Sequence, residues 1–312
     1  MSVKKSVFAS KSDRENFTKL SREWAKKYNI YHNLPFLNVF DTSLLFDFSD
    51  WDKLKQIQLS ELEFSRLKKT SIDYTLCDFN DKPILCIEFD GLKQGINVGT
   101  TYHPKCQGDN WRKEITELKL KVAHGSLFPF FVVGSDYFND LSDRTRLTIV
   151  DGIIGEVLGN QAARERISQG FDPIDVGWTN EDFERLSENE KSDIIQGWVT
   201  DIEAISDMEN NPVTRRSAEL DEEVSKISYS IEHLTSPDIY DISDIAERFR
   251  FYEQVKLFGT RITIQTQDLG DVKATVWLPN FKTPGFSGGF LSIEIAKLVA
   301  LEKLKKLRES KS

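Results

Sequence analysis

The segment Ser71–Gly91, SIDYTLCDFNDKPILCIEFDG, constrains the fold more than any other part of the chain. Ile72–Phe79 and Pro83–Phe89 have strand-forming composition, and Asn80-Asp81 between them suits a two-residue hairpin turn. That turn sets Ile72 opposite Phe89, Tyr74 opposite Ile87 and Leu76 opposite Leu85, on an apolar face that has to pack against a helix. The other face carries Asp73 opposite Glu88, Thr75 opposite Cys86 and Cys77 opposite Ile84, with Asp90 two residues beyond Glu88. A slip of one residue would turn the apolar set to water, so burial fixes the register.

Carboxylates directly opposed on a strand pair repel each other by about 0.2–1 kcal/mol. Two arrangements offset the repulsion at Asp73 and Glu88. A divalent cation such as Mg²⁺, or Mn²⁺ in its place, takes one or two carboxylates and keeps water and substrate oxygens. Alternatively, the pair faces solvent and a Lys or Arg of the next helix bridges it.

Residues 13–27 have the pattern of an amphipathic helix capped by Ser12 or Asp13. A second helix is expected from Ser49 through Trp51, Leu54 and Ile57, with Ser60-Glu61-Leu62-Glu63 as its break or its continuation. A polar loop over 91–108 leads to a helix opened by Asp109, with an apolar stripe of Trp111, Ile115, Leu118 and Val122. Phe128–Val133 reads as a strand buried on both faces, and Arg144–Leu158 as an apolar helix. From Phe171 to about Ser243 the pattern is acidic and helical, and Met208–Val224 is the best linker candidate. The last segment reads helix, strand, strand, helix over Ile245–Leu257, Arg261–Gln267, Val272–Leu278 and Ser292–Leu307. The expected division is therefore a first domain over 1–165, an acidic helical region and linker over 166–240, and a small α-β-β-α module over 241–312.

A net charge of −9 argues against a general nucleic-acid coat, which needs basic surface to release counterions. The charge is uneven, however. Lys4, Lys5, Lys11, Arg14, Lys19, Arg22, Lys26 and Lys27 make the start basic, and Lys273, Lys282, Lys297, Lys303, Lys305, Lys306 and Arg308 do the same for the last segment. No apolar run approaches the ~20 residues that cross a bilayer, and no apolar leader follows the first residues. Cys77, Cys86 and Cys106 form no disulfide framework, which suits a reducing cytoplasm. His103-x-x-Cys106 is too sparse for a zinc site, and no histidine adjoins Cys77 or Cys86 to activate either as a nucleophile.

The order helix, strand with Asp73, turn, strand with Ile87-Glu88-Phe89-Asp90-Gly91, polar loop, helix with Asp109 and Arg112, apolar strand resembles the PD-(D/E)XK nuclease superfamily. Within it, the pattern is most similar to very-short-patch-repair and related restriction-endonuclease-like proteins, over about residues 45–135. The resemblance implies an α/β fold: a restriction-endonuclease-like core with a mixed sheet flanked by helices, followed by the acidic helical region and the small module. It makes Asp73 and Glu88 metal ligands with Asp90 beside them, and Asp109 and Arg112 the acidic–basic pair of the next helix. Glu61 or Glu63 matches a helix glutamate that some members add. Ile72 replaces the motif's proline, and Asp90 stands where its lysine would be. In some members the basic group comes from the following helix, and Lys119 is the residue expected to supply it here, with Arg112 and Lys121 behind it. The C-terminal order, with Ser292, Ala296 and Ala300 four apart and Leu304 next, resembles a double-stranded-RNA-binding domain. Ile293 and Glu294 occupy the places of that family's phosphate-binding lysines.

These residues lead to the expectation of a Mg²⁺-dependent cytoplasmic nuclease acting on DNA or RNA. The alternative is a protein that keeps the nuclease fold without its chemistry and works as a nucleic-acid-binding or interaction module. A third expectation is a contact of the acidic region with a basic partner or a second copy of the chain.

Overall fold

The computed structural model describes residues 8, 10–47, 55–90, 110–138, 141, 146–224, 228–234, 257–281, 283, 286 and 288–311. In chain order the first elements are α1 (Lys11–Trp24), β1 (Asn29–Pro35), β2 (Leu45–Asp47), β3 (Lys55–Ile57), α2 (Glu61–Leu67), β4 (Ser71–Cys77) and β5 (Pro83–Asp90). They are followed by α3 (Asn110–Gly125), β6 (Phe130–Gly134), α4 (Ile149–Ser168), α5 (Asn180–Glu184), α6 (Glu188–Asn210) and α7 (Pro212–Glu223). The last are β7 (Tyr229–His233), β8 (Leu257–Thr266), β9 (Gly270–Pro279) and α8 (Gly288–Lys311). The architecture is α/β: a mixed sheet flanked by helices, then further helices and a small β-rich module.

The first sheet has the order β1-β4-β5-β6. β1, β4 and β5 form an antiparallel meander, and β6 lies parallel to β5 after the α3 crossover. The β4–β5 register pairs Tyr74 with Ile87, Thr75 with Cys86 and Leu76 with Leu85, as the alternation requires. Beyond Leu76 the register shifts, and Cys77 meets Pro83 instead of Ile84. The cause is the turn. Asp78 accepts the N–H groups of Asn80 and Lys82 on Oδ1, and Asp81 sits at φ 62°, so residues 78–82 form the connection instead of a two-residue turn.

Each sheet face has its own core. Tyr74, Leu76, Leu85, Ile87, Phe131 and Val133 pack with α1 and with the Ile149–Leu158 part of α4. Cys86 and Phe130 pack with Leu118, Val122 and Ala123 of α3, together with Phe36, Phe40, Leu45 and Leu67. Ile72 belongs to this second core, not to the Tyr74 face as alternation alone predicts. Next to it on β1, Asn33 adopts φ 56°, between the pairs His32–Tyr74 and Leu34–Ile72, and this kink breaks strict alternation.

Two expected helix boundaries and the expected linker change. Ser10, not Ser12 or Asp13, caps α1 by accepting the Asp13 N–H. Ile57 lies in a strand paired with Leu45, and the helix begins only where Ser60 and Glu63 form a reciprocal capping box. Residues 48–54 lie outside the described part. Met208–Val224 is no linker: Asn211 caps α7 with Pro212 at its first turn, and Val213 and Leu220 are fully buried.

α4 is buried along its first half because it has neighbours on several sides. It packs on α6, α7 and α8 as well as near the first sheet. Gly155 permits this approach, since a Cβ there would lie 2.6 Å from Asn211 Cα. α8 in turn covers β8 and β9 of the three-stranded sheet, whose order is β7-β8-β9. The module therefore contains three described strands where two were expected; of the expected helix Ile245–Leu257, residues 245–256 lie outside the described part and Leu257 begins β8. Ser292, Ala296 and Ala300 are buried, and Ser292 Oγ is 2.7 Å from Thr260 Oγ1, so small residues do bring α8 onto the sheet. Lys297 and Lys305 of α8 turn to Asp221 and Glu223 of α7 instead of forming a free basic face. The segment after β9 reaches the first sheet. Thr283 Oγ1 donates to the Phe130 carbonyl at 3.1 Å, and Phe281 and Phe286 pack edge-on against Phe131. No helix among the described residues is long and apolar enough to cross a membrane.

Candidate active site

Asp73 and Glu88 lie on the adjoining strands β4 and β5, where the meander brings them to one end of the sheet. Asp73 Oδ2 accepts the Phe89 N–H at 2.8 Å. From α3, the Lys119 ammonium donates to Glu88 Oε1 at 2.6 Å and to the Ser71 carbonyl at 2.7 Å. The helical period explains this reach. Ile115, Leu118 and Val122 face the sheet, and Lys119, four residues after Ile115, shares that face. Its side chain is 7% exposed and that of Glu88 18%, so this is a shielded ion pair.

Burial pushes the Glu88 carboxyl up to about 7, against the pull of Lys119 and with a further push from the Asp73 charge. Burial also raises Asp73; the Phe89 N–H and Lys119 oppose that rise, and Asp13 adds to it. Glu88 also accepts from the Asp73 backbone N–H, so each carboxylate is bonded to the backbone of the other's strand. Hard carboxylate oxygens of this kind suit Mg²⁺ or Mn²⁺. Among the described residues no group of three or more His, Cys, Asp or Glu side chains that could hold a metal ion occurs. The Asp90 side chain lies outside that set, as do Asp109, His103 and Cys106.

A second polar group adjoins Asp73. Asp13 of α1 meets His32 Nε2 at 3.0 Å and accepts the Tyr74 hydroxyl at 2.7 Å on Oδ1. Phe8 and Phe17 rings pack against the imidazole. Sequence reasoning passed over this group because it used Asp13 as a helix cap. The signal available was periodic: Asp13 shares a helix face with buried Leu20 and Trp24.

Of the other basic candidates, Lys121 turns to α2. Lys121 pairs with Glu63 at 2.8 Å, which together with the Ser60 N–H holds the Glu63 carboxyl down at about 2. Arg112 is on the exposed side of the first turn of α3, and Glu61 is exposed on α2. Trp111 is 51% exposed and leaves the expected apolar stripe; the Arg66 guanidinium lies 5.0 Å from its ring centroid. Cys77 and Cys86 are buried, and burial raises both thiols above the usual range, to about 11 for Cys77.

No family model, curated protein or solved structure matches the chain.

Proposed function

We propose that the chain is a divalent-metal-dependent nuclease of the PD-(D/E)XK kind, hydrolysing nucleic-acid phosphodiesters. The observation that carries this reading is the meeting of Lys119 with Glu88 beside Asp73. Asp90 deprives the strand of the motif's lysine, and α3 delivers an ammonium to the same pair of carboxylates. The chain order supports it too: a helix, an antiparallel three-strand meander, a crossover helix and a parallel fourth strand.

In this reading Asp73 and Glu88 would hold the ion, with Asp90 as the further carboxylate the sequence offers. When bound, such an ion supplies charge stabilisation at a phosphate and a more acidic water. Lys119 adds a fixed positive charge where negative charge develops on the phosphodiester, in a site with little water to screen it. Single-turnover cleavage of mixed DNA and RNA with Mg²⁺ or Mn²⁺ tests the assignment. Loss of cleavage in Asp73→Asn and Glu88→Gln supports it, and equal cleavage by these variants and the parent chain removes it.

The same ion pair favours a second reading, in which Lys119 itself neutralises Glu88 and the chain binds nucleic acid or protein without hydrolysing either. Titration calorimetry separates the two. Mn²⁺ heat that disappears in Asp73→Asn belongs to the first reading, and no heat with intact binding of nucleic acid belongs to the second.

A further inference from the structure

We infer that Trp111 is a base-stacking subsite at the rim of the Asp73–Glu88 pair, and that the nucleic acid presents an unpaired base there. The inference rests on the nuclease reading and narrows its substrate to single-stranded segments.

Topology places the residue. β5 and β6 are parallel, so the α3 crossover brings its N-terminus back to the end of the sheet where Glu88 lies. Trp111 is two helical turns before Lys119, about 12 Å along the axis. α2 ends four residues before Ser71, whose carbonyl holds Lys119, and so borders the same end. Trp111 therefore lies at this end of the sheet, on the wall that α2 and α3 form.

Its surroundings suit a base better than a core. Ile115, Leu118 and Val122 of the same helix are buried while the indole is 51% exposed, which forgoes apolar burial that a smaller side chain would not miss. Arg66 lies over the ring at 5.0 Å and is held there by Glu114 at 3.0 Å. A planar cation against an aromatic ring fixes the indole and leaves a π-face for a base. The motif repeats on α2, where the Lys68 ammonium lies 4.7 Å from the centroid of the partly exposed Phe64 ring. A continuous duplex keeps its base faces stacked on one another, so a lone indole at the rim gains only from an unpaired strand.

Fluorescence anisotropy tests this with a labelled thymidine oligonucleotide of about twelve nucleotides, its duplex and the uridine RNA counterpart. EDTA in the buffer prevents cleavage. Trp111→Ala is expected to weaken single-strand binding about 5- to 150-fold, with duplex binding changed by less than about 2-fold. Trp111→Phe is expected to retain most of the affinity, and Trp111→Leu, which keeps apolar bulk without a π-face, to lose it. The DNA and RNA arms show which backbone is preferred. Unchanged single-strand binding in Trp111→Ala overturns the inference, and so does an equal loss for duplex. A change of oligomeric state on gel filtration overturns it as well, since Trp111 would then be a contact between copies. Parent protein that cleaves normally while these variants bind normally removes the inference alone. Parent protein that neither binds nor cleaves any of the three probes removes the nuclease reading with it.

Discussion

Lys119 and Glu88, 31 residues apart in sequence, meet at 2.6 Å and join α3 to the strand β5. The pair is both the centre of the proposed chemistry and a tie in the fold, and its two roles give separable expectations.

Lys119→Met leaves a shielded carboxylate without its cation. Breaking such a pair costs about 3–5 kcal/mol when the remaining partner stays charged. Removing Lys119 also removes its charge and its hydrogen bond, which hold the Glu88 carboxyl down, so the loss is expected to be smallest at pH 5, where the carboxyl is protonated in both proteins, and to grow as pH rises. Glu88→Gln added to Lys119→Met restores most of the stability at pH 8. Urea unfolding of the parent and three variants at both pH values measures this.

The wild-type stability has its own pH dependence. The folded Glu88 carboxyl titrates near 7, above its unfolded value of about 4.3, so between these values the folded chain holds a proton that the unfolded chain has lost. This contribution is present below about pH 4.3 and is lost as pH rises through 7. Asp151, which burial raises to about 6, acts in the same direction. Urea midpoints should fall from pH 5 to pH 8, and Glu88→Gln should flatten the fall. A parent chain with equal midpoints across that range contradicts the expectation.

Two of the candidate cations separate in cleavage. Lys119→Met is expected to slow Mg²⁺-dependent turnover about 100-fold or more, as removal of a preorganised positive group does. Lys121→Ala breaks only a surface pair with Glu63 and should leave the rate within about 3-fold, because such pairs contribute about 0–1 kcal/mol. Single-turnover rates at saturating protein decide between Lys119 and Lys121.

Two glycines in helices should respond with opposite signs. Gly155→Ala drives a methyl into the Asn211 backbone and is expected to destabilise by about 1–3 kcal/mol. Gly197 of α6 has open space around it, so Gly197→Ala is expected to stabilise by about 0.5–1 kcal/mol through the unfolded chain. Thermal melts of the two variants provide the comparison.

The legible parts of the sequence were those where burial leaves one solution. Tyr74–Ile87, Thr75–Cys86 and Leu76–Leu85 pair as the apolar alternation demands, and Lys119 falls on the sheet side of α3 because Ile115, Leu118 and Val122 do. The failures have local causes. Asp78 organises the hairpin turn through its side chain, which the Asn80-Asp81 dipeptide does not reveal. Asn33 breaks the alternation from a neighbouring strand, so Ile72 changes core for a reason absent from its own strand. Asn211-Pro212 reads as an interruption, yet it serves as a helix cap once Val213 and Leu220 have a core to enter. β7 went unseen because four of its five residues are exposed, which leaves no apolar period to detect.

The contact of Thr283 with Phe130 has a consequence for synthesis of the chain. The residues are 153 positions apart, so at about 5–20 residues per second β6 exists for roughly 8–30 s before Thr283 is made. During that interval the Phe130 carbonyl lacks this donor and Phe131 lacks its contacts with Phe281 and Phe286. A nascent strand edge in this state is open to pairing with other chains. A ribosome stalled before Phe281 would therefore hold a chain that already contains Asp73, Glu88 and Lys119 but is prone to aggregate through β6. The carboxylate site is thus made well before the segment that closes on its sheet.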